Sequence, residues 1–91
     1  MTDANKLVIL KKDLQMTTTA NDEYLETLLT FAKAAIEREG IVLEDNIECD
    51  MAVIHYAAYL FRKRAGADTA MPRYLRYALN NLLFSQKGAS E

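Results

Sequence analysis

Between Met51 and Phe61 the chain carries no Asp, Glu, Lys or Arg, and only His55 and the hydroxyls of Tyr56 and Tyr59 interrupt its apolar character. A helix that is apolar nearly all round is normally buried on most of its sides. Eleven residues fall well short of the ~20 needed to cross a bilayer, so the run reads as a central core helix. Its neighbours, other subunits or both must cover it. The surrounding punctuation sets its limits at about Ile47 to Ala65. Asp45 or Asn46 can cap the start, and Glu48 and Asp50 place negative charge in the first turn. Arg62, Lys63 and Arg64 place positive charge at the other end, and Gly66 follows as a stop.

Gly40, Gly66, Pro72 and Gly88 divide the rest into three further apolar-periodic segments. From about Asn5 to Gln15, Leu7, Leu10 and Leu14 recur at helical spacing. Val8 and Ile9 would also permit a short strand, but the spacing favours a short helix. Thr17–Thr19 then make a loop. From about Asn21 to Glu39, Asn21 is a candidate N-cap and Asp22 and Glu23 complement the dipole. Leu25, Leu28, Leu29, Ala32, Ala35 and Ile36 form one stripe, Lys33 and Glu37 an exposed i,i+4 pair, and Gly40 the stop. The last segment begins at Pro72, which suits a first helical position, and Leu75, Ala78, Leu79 and Leu82 form its stripe. Periodicity fades at Ser85, so residues 85–91 read as a flexible tail. The expected fold is all-α: a short N-terminal helix plus three main helices in a small bundle, one domain over residues 1–91.

With 91 residues, 51% of them apolar, the chain has more apolar side chains than so small a surface easily hides. Part of that surface is expected against another chain. Net charge is −2, but residues 1–50 carry 5 Lys/Arg and 11 Asp/Glu (−6), whereas residues 51–91 carry 6 and 2 (+4). Such a division suits two faces that attract each other, while the overall acidity argues against a protein selected for nucleic acid. The single cysteine, Cys49, permits no internal disulfide. With no signal-peptide layout at Met1–Asn5, a soluble intracellular protein is expected.

Catalysis needs positioned groups with matched pKa values. One His, one Cys, no Gly-rich phosphate loop and no H-E-x-x-H or G-x-S-x-G arrangement offer little for it. His55 reads as a partly buried, satisfied histidine and Cys49 as a small first-turn residue, six positions apart and on different faces. Glu44, Asp45, Glu48 and Asp50 lack the spacing of a calcium loop and read as a solvated loop and helix cap. No enzyme activity, metal or cofactor is expected. Tyr56, Tyr59, Tyr74 and Tyr77 lie in the basic half near Arg62, Arg64, Arg73 and Arg76. Tyr and Arg are enriched at interface anchors. Interleaved aromatics and cations also suit single-stranded nucleic acid, and core-edge packing is the plain alternative.

The run Met71-Pro72-Arg73-Tyr74-Leu75-Arg76-Tyr77-Ala78-Leu79-Asn80-Asn81-Leu82-Leu83-Phe84-Ser85-Gln86-Lys87 resembles the ending of the tailed-phage head–tail connector (adaptor) family, where an M-P-R-x-L-R-x-A-L-N-N stretch closes a short helical protein. Leu10–Leu14, Ile36–Ile41 and Tyr56–Arg64 are similar to that family as well, in the same order, so the likeness spans roughly residues 6–87. The resemblance implies a structural protein of a phage or prophage, assembled in the host bacterial cytoplasm and placed at the virion head–tail junction. Its copies would form a homo-oligomeric ring under the portal protein. That ring would extend the DNA channel and bridge to the stopper or tail-completion protein, with DNA only passing through and no membrane contact. It further implies that Ser85, Gln86 and Lys87 grip the portal, while the interleaving of tyrosine and arginine itself puts Arg62, Arg64, Arg73, Tyr74, Arg76 and Tyr77 at subunit or partner contacts. Rings are built from heterologous contacts, which the acidic and basic halves could supply, setting register more than affinity. Two other readings stand beside this one. A small helical nucleic-acid-binding or regulatory protein would dock Pro72–Phe84 on DNA, although Arg64 to Pro72 is long for the turn of a helix-turn-helix. A partner-binding module of toxin–antitoxin or chaperone kind would be a fixed dimer.

Overall fold

The computed structural model describes residues 1–64, 66 and 70–89, the last three as backbone only. Four helices follow one another: α1 (Asp3–Asp13), α2 (Asp22–Arg38), α3 (Ile47–Arg64) and α4 (Arg73–Ala89). The described residues contain no strand, and the Leu7–Leu10 stretch lies inside α1. None of the described helices is long and apolar enough to cross a membrane. The all-α bundle is as the sequence predicts.

Each helix end has a local cause. The Thr2 side chain caps α1 by accepting the Asn5 N–H at 3.1 Å. At its C-terminus, Gln15 adopts φ 58°, and the Gln15 and Met16 N–H groups donate to the carbonyls of Lys12 and Lys11 at 3.1 and 2.8 Å. That double closure is the Schellman arrangement, here built on a residue that carries a Cβ. Asn21 stands at the α2 N-cap, but its side chain makes no capping bond, contrary to expectation, because the backbone there (φ −108°, ψ 10°) is not extended. Gly40, at φ 95°, ends α2 as predicted. Asn46 rather than Asp45 caps α3, accepting the Cys49 N–H at 2.8 Å. Pro72 sits just before α4, its carbonyl accepting the Leu75 and Arg76 N–H groups at 3.1 Å.

As its composition requires, α3 is the central helix and touches each of the other three. Cys49, Ala52, Val53, Ile54, Ala57 and Ala58 are buried along it. Leu10 comes in from α1, Leu25, Leu28, Leu29, Ala32 and Ile36 from α2, and Leu75, Leu79 and Leu82 from α4. Small residues on α3 let its neighbours approach closely, and burying each Leu or Ile contributes about 1.5–3 kcal/mol. α1, α2 and α3 pack on one another, whereas α4 packs chiefly on α3. The outcome is a flat body, 46 × 30 × 18 Å.

The main departure from expectation lies at the C-terminus. Helix α4 continues past Phe84 to Ala89, so Ser85, Gln86 and Lys87 are helical instead of forming a loose tail. A polar clamp explains part of this. The Gln86 side-chain amide donates to the Val42 carbonyl at 2.7 Å and accepts the Val42 N–H at 2.8 Å. Residues 90 and 91 of that expected tail lie outside the described residues.

Candidate subunit interface

The residues proposed for contacts fall into two groups once the helices are in place. Arg62, Arg64 and Arg76 serve the fold of their own chain. Arg62 pairs with Asp13 at the end of α1 at 3.3 Å, and the Arg64 guanidinium lies over the Tyr24 ring, 4.5 Å from its centroid. Arg76 pairs through both terminal nitrogens with Glu39, and its Nε donates to Asn80 Oδ1 at 3.2 Å. The bond to Glu39 raises the Arg76 pKa further above its ordinary value. Burial likewise raises that of the adjacent Tyr56 phenol. Arg62–Asp13 and Arg76–Glu39 join the basic half to the acidic half, so part of the −6/+4 division is satisfied within one chain.

Arg73, Tyr74 and Tyr77 form the second group and are exposed. On α4, Tyr74, Tyr77, Asn81 and Phe84 recur at i, i+3, i+7 and i+10, which aligns them along one flank. Tyr77 and Phe84 are 64% and 68% exposed, values that mark this flank as lacking cover among the described residues. Beside it, between α3 and α4, runs an apolar groove of about 490 Å³. Met51, Ala52 and His55 line it from α3, and Tyr74, Ala78 and Leu82 from α4. The two helices are antiparallel: Tyr74 meets His55 edge to face at 5.2 Å, and Gln86 reaches Val42 ahead of α3. His55 is therefore a half-buried aromatic partner, in line with the sequence reading.

Of the acidic cluster, Glu44, Asp45 and Glu48 are exposed, as read from the sequence, and Asp50 alone departs from a solvated position. Asp50 is buried, as is Lys6, and their charges face each other at 3.7 Å. The N-terminal amine lies 3.0 Å from Asp45 and 3.4 Å from Asp50. Its pKa is raised by the Asp45 bond, which in turn lowers that of Asp45. These cations occupy two of the four carboxylates of the cluster, Asp45 and Asp50. Among the described residues no group of three or more His, Cys, Asp or Glu side chains is placed to hold a metal ion. Lys33 also changes partner: it bridges to Asp3 on α1 at 3.0 Å instead of Glu37, lowering the Asp3 pKa.

Sequence reasoning missed the groove, the Gln86 clamp and the exposure of Phe31 (60%) on α2. Phe31 alone carried a signal, since it falls between the stripe positions of α2. Comparison with family models, with curated proteins and with solved structures finds no match for this chain.

Proposed function

We propose that this chain is a non-enzymatic assembly protein, a head–tail connector (adaptor) of a tailed phage or prophage whose copies form a ring beneath a portal protein. One observation carries the assembly part of the reading: the uncovered aromatic flank and apolar groove on the α3–α4 side. A monomer seldom leaves so many large apolar side chains outside, and such patches mark contact surfaces. The family part rests on the ordered likeness of Leu10–Leu14, Ile36–Ile41, Tyr56–Arg64 and Met71–Lys87. Portal and stopper are the partners that likeness implies, and Ser85, Gln86 and Lys87 remain the residues it directs toward the portal.

Nucleic-acid binding is the weaker alternative, because Arg62 and Arg76 are already paired with carboxylates of the same chain. Free phosphate contacts dominate affinity for nucleic acid. Electron microscopy of the purified protein, alone and with its portal, tests the proposal. Rings, or a collar seated on the portal, are the expected result. A protein that stays monomeric with portal present, or that binds duplex DNA at sub-micromolar concentration in physiological salt, would replace it.

A further inference from the structure

We infer that the α3–α4 groove is filled by α2 of a second copy of this chain, with Phe31 as its anchor. The inference rests on the self-assembly proposed above and adds to it which two surfaces meet. Phe31 is 60% exposed on α2. Helical spacing puts it on the flank opposite Asp22 and Lys33, whose ion pairs run to α1. Along that flank Thr27, Phe31, Ala34 and Arg38 are all exposed at i, i+4, i+7 and i+11, with Glu23 one turn earlier. The Thr27 hydroxyl donates to the Glu23 carbonyl at 3.0 Å, so this ridge asks nothing polar of a neighbour there. It is a single large knob between small residues.

The groove supplies the matching hole. Ala52 from α3 and Ala78 from α4 leave room where larger side chains would meet, and Met51, Tyr74 and Leu82 wall it. Charge selects the occupant and its direction. Glu48 lines the groove at the start of α3, which the antiparallel packing puts near the end of α4. Exposed Arg73 stands at the opposite end, at the start of α4. The α2 ridge carries the reverse pair, Glu23 at its start and Arg38 at its end, and neither joins an ion pair among the described residues. Laid along α4 in the same direction, α2 brings Glu23 to Arg73 and Arg38 to Glu48. The lengths agree: Glu23 to Arg38 spans about 22 Å and Arg73 to Ser85 about 18 Å at 1.5 Å per residue. Phe31 then falls abreast of Ala78 and Asn81. Knob and hole lie on different surfaces of one chain, so the contact is heterologous and leaves each copy able to bind one neighbour on either side.

Sedimentation velocity on wild-type protein, on Phe31→Ser, on Ala78→Arg and on an equimolar mixture of the two variants tests this. Phe31 is exposed and Ala78 is half-buried, so circular dichroism accompanies both variants. Exposed, groove-lining Asn81→Arg replaces Ala78→Arg if the latter loses its helical signal. Each variant alone should need about tenfold or more protein to assemble, the loss typical of an anchor residue. The mixture retains one intact knob and one intact hole and should stop at dimers. Phe31→Ser assembling like wild type, or a mixture that stays monomeric, overturns the inference while self-assembly stands. Loss with Ala78→Arg alone would indicate that two grooves pack on each other, which also overturns it. A wild type that is monomeric throughout removes the assembly proposal itself.

Discussion

The α1–α3 part of the molecule and helix α4 are held in different ways. In the first, apolar stripes converge on α3 from two sides, and ion pairs tie the flanks: Lys6–Asp50, Lys11–Asp22, Lys33–Asp3 and Arg62–Asp13. α4 buries one stripe on α3 and is fastened at its two ends, by Arg76–Glu39 and by Gln86–Val42. Its other flank shows Tyr74, Tyr77 and Phe84 to solvent. Regions with few buried contacts open at lower free energy than the global fold. Elements that dock partners are drawn from that end of the scale.

The largest expected difference between the two regions is a core truncation. Ile54→Ala, at the fully buried centre of α3, should cost about 2–5 kcal/mol by chemical denaturation. Tyr77→Ala, on the uncovered flank of α4, should stay within about 0.5 kcal/mol in the monomer. An equal loss at both sites would mean that α4 is covered on all sides.

Next comes the buried ion pair. Asp50→Ala leaves the buried Lys6 ammonium only the exposed Asp3 carboxylate, at 3.7 Å, as a partner, so a loss of about 3 kcal/mol is expected. Replacing both together, Lys6→Met with Asp50→Leu, should restore most of it, because apolar groups of similar size need no partner. If the double variant is as unstable as Asp50→Ala, packing and not stranded charge governs the site.

These pairs also show what the sequence conceals. α2 was legible because its stripe, its acidic first turn and Gly40 all agree. The burial of α3 was legible from composition alone. Lys6 and Asp50 were not, since nothing local tells a buried charge from a solvated one; only their meeting across α1 and α3 does. The turn after α1 carries no glycine, and Gln15 takes the left-handed conformation because the Schellman bonds over-determine it. Gln86 was hidden for a related reason: it anchors through an amide matched to the two backbone groups of Val42, and such an anchor leaves no trace in hydropathy. Of the candidate site, Arg73, Tyr74 and Tyr77 lie exposed on α4. The same composition gave no sign that Arg62, Arg64 and Arg76 would serve their own chain.

A smaller effect sharpens the contrast at the end of α4. Gln86→Ala removes two hydrogen bonds to Val42 and should cost about 1–2 kcal/mol, with amide exchange accelerated in the last turns of α4 and unchanged in α2. Uniform acceleration would show that α4 unfolds only with the whole bundle. The smallest effect lies on the other side. Gln15→Gly relieves the left-handed strain of about 1–2 kcal/mol, offset in part by the greater freedom of glycine when unfolded. A net gain of about 0.5 kcal/mol in thermal or chemical denaturation is the expected result. A loss there would mean that the Gln15 side chain has a packing role beyond its backbone conformation.

The most direct measurement of the assembly role is the mass of the protein in solution across a concentration series, by sedimentation velocity at low and at physiological salt. A chain of 10.3 kDa whose α3–α4 side is a subunit contact should shift to multiples of that mass as concentration rises. The shift should be weaker in salt, because exposed charge pairs are screened beyond about 8–10 Å. A single 10.3 kDa species at every concentration, with and without the portal, would contradict it.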